Sequence, residues 1–150
     1  MLSRFRLALT LLLVVAASGL APVVAQGGEA GTTPPASVWD GVFTEEQAER
    51  GGALYSQYCV MCHGENLRGV GMAANLTATQ FFLQWRDSSL YEYFDTIRTY
   101  MPQNAPNSLS ADQYADIVAY ILSFNGLPAG DAELVADESV LSAIKIERQR

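Results

Sequence analysis

The chain has 150 residues, 49% of them hydrophobic and 17% charged, with 16 acidic side chains against 9 lysines and arginines and a formal net charge of −7. That length holds one domain at most, and the acidic balance works against binding nucleic acid or an anionic lipid surface. With two cysteines and one histidine, the chain has no material for a disulfide framework or for a zinc site of four Cys and His ligands.

Residues 1–25 read as an export signal. Arg4 and Arg6 precede an apolar run from Leu7 to Ala17, and Val23 and Ala25 are the small residues of a cleavage site. Ser18, Gly19 and Pro22 interrupt the run before it reaches spanning length. The expected product is a periplasmic chain with no membrane span after cleavage, and an uncleaved anchor is the alternative. Loss of Arg4 and Arg6 leaves that product more acidic, with Lys145 as its one lysine.

Gln26–Val38, rich in Gly, Pro, Thr and Ala, is expected to be a flexible leader. The folded domain is expected over residues 39–150, with a tail from about 131. Its first helix opens at "TEEQ", a capping box in which Thr44 accepts from the Gln47 amide and Gln47 reaches back. Glu45 and Glu46 suit the positive end of the helix dipole. The helix is expected to run to about Tyr58. Gly51 and Gly52 sit in its middle, where each costs about 1 kcal/mol against alanine. Either the helix tolerates them or a neighbouring helix comes backbone-close there.

"YCVMCHG" follows, and then a loop holding Gly64, Gly69 and Gly71. Phe81 to Trp85 reads as a short helical turn. A firmer helix opens at Ser89, which forms a capping box with Glu92, and Leu90, Tyr93, Phe94 and Ile97 make one apolar stripe. Pro102 pushes Met101 out of the helical region and so ends this helix near Tyr100. After a second loop, Ser110 and Gln113 form a third capping box, with Leu109 and Tyr114 placed as a hydrophobic staple. Tyr114, Ile117, Val118, Ile121 and Leu122 form the buried face, and Gly126 and Pro128 stop the helix. The tail is expected to add a short helix that lays Leu141, Ile144 and Ile146 on the body. No stretch alternates as a strand would, so the expected class is all-α.

Both cysteines and the single histidine fall in Cys59-Val-Met-Cys62-His63. A disulfide across so small a loop restricts the unfolded chain little. A thioredoxin-like redox pair needs a strand before it and a helix after it, and here a helix precedes and a glycine-rich loop follows. Zinc lacks a second ligand cluster. C-x-x-C-H is the signature of c-type haem attachment. Two thiols one helical turn apart can reach the two vinyl groups on one haem edge, and the next residue turns its imidazole onto the iron. Cys59 and Cys62 are thus the candidate thioethers and His63 the candidate proximal ligand.

The opposite face of the iron has Met61, Met72, Met101, Lys145 or nothing to fill it. Met61 lies inside the attachment turn. Met72 can reach around the haem edge but leaves little chain to cover the second face. Met101 is preferred, on a loop stiffened by Pro102 between two amphipathic helices; a core methionine at a helix end and an open iron are the alternatives. His/Met ligation raises the potential and leaves no position for oxygen, which suits a one-electron carrier and not an enzyme. Phe81, Phe94, Ile97, Leu109 and Tyr114 are candidates for the haem lining.

Gly51 to about Phe124 resembles the class I monohaem cytochromes c. "GGALYSQYCVMCHG" is similar to the family's first helix and haem site, "YADIVAYILSF" to its last helix, and "YMPQNAP" to its methionine loop. The resemblance implies three main helices and loops around one covalent haem c. It also implies that Tyr120 crosses over the glycine of the first helix and that Met101 sits on the iron. Trp85 and Arg98 become candidates for holding the haem propionates. The segments "VWDGVFTEEQAERG", "TYMPQNAPNSLSADQYADIVAYIL" and "LSAIKI" further resemble exported cytochromes that accompany pyrroloquinoline-quinone dehydrogenases. That implies a dehydrogenase as donor and a terminal oxidase or another cytochrome as acceptor. A fixed subunit of such a complex, or a haem sensor or enzyme with an open iron, is the alternative. One feature departs from the family: its proline after the haem site, whose carbonyl accepts the histidine N–H, is replaced by Ala73 or Ala74.

Overall fold

A computed structural model of the chain describes residues 34–148, all of which belong to one compact unit. Six helical segments follow in order: α1 (Glu45–Tyr58), α2 (Val60–His63), α3 (Ala78–Trp85), α4 (Leu90–Tyr100), α5 (Ala111–Phe124) and α6 (Glu138–Ala143). The described residues contain no strand, only isolated bridges from Lys145 to Ser37 and to Ser89. The class is therefore all-α. The expected signal over 1–25 and the leader residues 26–33 lie outside the described residues.

Local signals place most helix ends. The Ser89 hydroxyl accepts from the Glu92 amide at 3.3 Å, and the Glu92 carboxylate accepts from the Ser89 amide at 2.6 Å. That backbone N–H holds the Glu92 carboxyl below its ordinary range. The carboxylate's share of the cap is therefore in place at neutral pH and is lost as pH falls through the lowered value. Ser110 and Gln113 repeat the arrangement at α5, at 3.2 and 2.9 Å. α4 ends at Met101, whose φ of −121° and ψ of 153° are extended, as a residue before proline requires.

The box at α1 is only half formed. Thr44 accepts from the Gln47 amide at 3.1 Å, but the Gln47 side chain does not reach back. It is buried and pairs with the backbone of Leu134, donating to its carbonyl at 2.9 Å and accepting from its amide at 2.7 Å. Two buried backbone groups of the tail find their partners there, a stronger demand than one half-buried helix-end amide.

α1 packs chiefly on α5. At the crossing, a Cβ on Gly51 would run into the Asp116 carbonyl oxygen, and one on Gly52 would meet the Tyr120 ring at 3.2 Å. Tyr120 also lies against Tyr55, with ring centres 5.1 Å apart. Gly51 is there because the two helix backbones approach more closely than a side chain allows.

α3 is longer than the turn read from Phe81 to Trp85. Its cap residue Thr77 makes no capping bond to the helix and donates instead to Asn75 at 2.8 Å, so the sequence carries no box to announce it. Burial of Phe81 and Phe82 holds it in place.

The tail closes the fold. Leu134, Leu141, Ile144 and Ile146 are buried, each contributing about 2 kcal/mol of transfer free energy. The stretch from Ile144 to Glu147 is bonded on both sides. Lys145 exchanges backbone bonds with Ala36 and Val38 at 2.8 and 3.0 Å, and Trp39 donates to the Glu147 carbonyl at 2.7 Å. On the other side Leu90 donates to Ile144 at 2.8 Å, and Ile146 both accepts from Asp87 and donates to Ser88 at 2.9 Å. Ala36–Val38, the last part of the expected leader, is thus held in the fold, with Val38 fully buried.

Candidate functional site

α2 is a single turn that begins where α1 ends. Cys59 caps it, Cys62 and His63 lie within it, and the His63 amide donates to the Cys59 carbonyl at 2.9 Å. This spacing presents both sulfurs and the imidazole from one turn. Cys59 is half-buried, Cys62 is exposed, and neither is in a disulfide. Burial, with Cys62 adding to it, pushes the free Cys59 thiol up to about 11.

The loop after the turn folds back to grip His63. Gly69 donates to the His63 carbonyl at 2.9 Å and Val70 to the Cys62 carbonyl at 2.8 Å. Gly69 has φ +78°, and a Cβ there would strike the Ala73 carbonyl, so this return requires glycine. His63 is 8% exposed, and its Nδ1 lies 2.9 Å from the Ala74 carbonyl oxygen. A carbonyl can only accept, so Nδ1 carries the proton and Nε2 keeps its lone pair for a metal. Of the two alanines in the position of the expected proline, Ala74 is the acceptor. The Tyr55 hydroxyl donates to the Gly64 carbonyl at 2.8 Å and ties α1 to the start of the loop.

Met101 is half-buried at the end of α4, and its backbone is held from two directions. Its amide donates to the Ile97 carbonyl at 2.8 Å, and its carbonyl accepts from the Tyr114 hydroxyl at 2.7 Å. Tyr114, read from the sequence as a lining residue, therefore also fastens the methionine to α5. Phe94 is buried, and Ile97 is half-buried. The Arg98 guanidinium bonds Asp95 at 2.7 Å and lies 5.7 Å from the centre of the Phe94 ring, so it is engaged on its own helix. Trp85 is half-buried and meets Tyr93 edge-on, with ring centres 5.0 Å apart.

The sequence reading missed Tyr93 as anything but one residue of an apolar stripe. The usable signal was a phenol in a stripe otherwise made of leucine, phenylalanine and isoleucine.

The residues fit a covalently held haem. Two unpaired thiols and an imidazole with one nitrogen anchored and the other free share one turn. A buried hydroxyl, that of Tyr93, has no hydrogen-bond partner among the described residues. Among the described residues no group of three or more His, Cys, Asp or Glu is arranged to hold a metal ion alone.

Residues 46–121 match the family model described as cytochrome c oxidase, cbb3-type, subunit III. Among solved structures, a chain of the sulfane dehydrogenase SoxCD from Paracoccus pantotrophus is similar, at 22% identity and a TM-score of 0.46, over 63% of this chain and 55% of that one. The match thus spans little more than half the length of that structure. No curated protein matches.

Proposed function

Since the chain belongs to the cytochrome c family described as cytochrome c oxidase, cbb3-type, subunit III, and so carries covalently bound haem c for electron transfer, we propose that it is a periplasmic one-electron carrier. In this reading Cys59 and Cys62 hold the haem through thioethers, and His63 and Met101 are the axial ligands. The observation that carries it is the His63 ring, with Nδ1 committed to Ala74 and Nε2 free, on the same turn as both thiols.

When bound, the haem supplies a one-electron iron couple. The protein's work is to hold and shield it. Ala74 fixes the tautomer and direction of His63. The Tyr114 bond and the start of α5 hold the Met101 backbone, so a thioether can be presented from a fixed point. Phe81, Phe94 and Tyr114 are buried, and together with Ile97 they would keep water from a bound ring and disfavour the extra charge of ferric iron. No helix among the described residues is long and apolar enough to cross a membrane.

The reading takes a pyrroloquinoline-quinone dehydrogenase as donor and a terminal oxidase or another cytochrome as acceptor. Mixing the oxidised protein with such a dehydrogenase and its substrate, and following haem reduction by stopped flow, is expected to give rapid substrate-dependent reduction. Ready binding of carbon monoxide by the native ferrous protein would overturn the carrier and favour an open-site sensor or enzyme. The family description names an oxidase subunit, which favours a second reading as a fixed member of a complex. Co-purification with an oxidase or dehydrogenase at high salt would select it.

Tyr114→Phe tests the methionine loop. Losing one buried hydrogen bond costs about 1 kcal/mol. The pH at which alkali displaces the methionine is expected to fall by about 0.7 unit, since one unit is worth about 1.4 kcal/mol. The methionine–iron charge-transfer band, followed in a pH titration, reads this out.

A further inference from the structure

The loop that supplies the acceptor for His63 is tied to the packed helices at two places. At its start the Gly64 carbonyl accepts from the Tyr55 hydroxyl of α1 at 2.8 Å. At its end the Leu76 carbonyl accepts from the side-chain amide of Asn125, the residue that caps α5, at 2.9 Å. Among the described residues the other hydrogen bonds of residues 64–76 stay within the loop, or go to the attachment turn or to Thr77.

Asn125 does more than end its own helix. Its side-chain amide satisfies the Ile121 carbonyl at 2.9 Å, and that bond alone would serve as a cap. The same nitrogen also reaches Leu76, across 49 positions of sequence. The Leu76 amide donates to the Leu67 carbonyl at 2.7 Å, so both backbone groups of Leu76 are fixed. Leu67 is fully buried, which anchors that contact in the core. Between Leu76 and Ala74 lies Asn75, whose side chain accepts from the Thr77 amide at 2.9 Å and from its hydroxyl at 2.8 Å, and this turn stiffens the link. Upstream, Ala73 donates to Val70 at 3.2 Å, and Val70 to Cys62 at 2.8 Å. Those bonds move with the turn that carries His63. Among polar contacts, the one that fixes the Ala74 side of the loop to the packed helices is therefore the bond from Asn125.

We propose that Asn125 is a positioning residue for the axial histidine: its bond to Leu76 holds the Ala74 carbonyl on His63 Nδ1, 2.9 Å away, and so couples the end of α5 to the donor strength of the imidazole. The proposal rests on His63 being an iron ligand and goes beyond it. An imidazole that donates a well-aligned N–H bond is a stronger base at its other nitrogen. A stronger base favours ferric iron. Loosening the Ala74 carbonyl therefore weakens that donation and moves the balance toward the ferrous state.

Asn125→Ala, in the exported holoprotein, tests it. The electron-exchange equilibrium with a reference redox couple is expected to move about threefold toward the reduced protein, less than the roughly 10–100-fold in affinity that outright loss of an outer partner costs a metal site. By NMR of the reduced protein, the His63 Nδ1 proton should exchange with solvent about fivefold faster relative to the amides of α1, the factor for one hydrogen bond of roughly 1 kcal/mol. Gly126→Ala is the control. Gly126 has φ +80°, and a Cβ there would meet nothing within 4 Å, so alanine strains the same helix end and leaves the bond to Leu76 in place. It is expected to lower stability and to keep both His63 readouts at the parent's values. Equal shifts in the two variants would overturn the proposal, as would an Asn125→Ala protein with the parent's redox equilibrium and relative exchange. Should Asn125→Ala not fold, Asn125→Ser takes its place with the same expected and overturning results: serine keeps a hydroxyl for the Ile121 carbonyl but is too short to reach Leu76. Failure of the parent reading looks different, because the His63 ring protons of the unaltered protein would then lack a haem ring-current shift.

Discussion

Met101→Ala is expected to leave the haem on the chain and to abolish the methionine–iron charge-transfer band. The backbone at this point does not depend on the side chain. The Met101 amide is bonded to Ile97 and its carbonyl to Tyr114, and both bonds survive truncation to alanine. Only the thioether is withdrawn. A soft neutral sulfur favours ferrous iron, whereas water or hydroxide in its place favours ferric iron. The reduction potential is therefore expected to fall by a few tenths of a volt, within the roughly 0.8 V that axial ligands command. The open position should then bind carbon monoxide, which the parent should not. Met72→Ala is the control. That side chain is fully exposed and is expected to leave spectrum and potential alone. An unchanged visible spectrum in Met101→Ala, with loss of the band in Met72→Ala, would assign the sulfur to the other loop.

Gly51→Ala is expected to destabilise the protein by about 2 kcal/mol, against the helix-propensity trend. In an exposed helix the change would gain about 1 kcal/mol. Here the new Cβ would collide with the Asp116 carbonyl oxygen and sit 2.9 Å from the Tyr120 Cβ. Asp116 lies within α5, so its carbonyl cannot move without the helix. Overpacking of this kind costs about 1–3 kcal/mol and sometimes more, which outweighs the propensity gain. Gly52→Ala makes the comparison. Its Cβ would meet only the edge of the Tyr120 ring at 3.2 Å, and a ring can shift by a few tenths of an ångström. The two terms should then nearly cancel. Denaturant unfolding of the ferric holoprotein measures both. A Gly51→Ala variant as stable as the parent would mean that α1 and α5 can part at their crossing without loss.

The features legible in the sequence have short reach along the chain. The caps at Ser89 and Ser110 involve residues three apart, so each box forms wherever its helix forms. The end of α4 follows from Pro102, whose ring acts on its immediate neighbour. Cys59, Cys62 and His63 lie in one turn, and their chemistry follows from residue type and spacing. Gly51 marked a close approach, although nothing in the sequence alone said that Asp116 would be the partner.

Other features depend on residues far apart in the chain, and these only the tertiary structure decided. Gln47 could cap its own helix or pair with Leu134, and the chain gave no local preference that forbade either. Among the described residues the buried Leu134 amide and carbonyl bond to Gln47, and that settled it. α3 lacks a capping box and exists because Phe81 and Phe82 are buried. Ala36–Val38 looks like leader until Lys145 supplies its backbone bonds. Tyr93 reads as one more apolar residue until its hydroxyl is found enclosed and unpaired. Composition and spacing by themselves determined an acidic, all-helical chain with a haem-attachment turn, because propensity, capping and covalent reach act over a few residues. Which polar group meets which across the fold was decided by burial, since a hydrogen-bonding group removed from water must take whatever partner the packed chain brings to it.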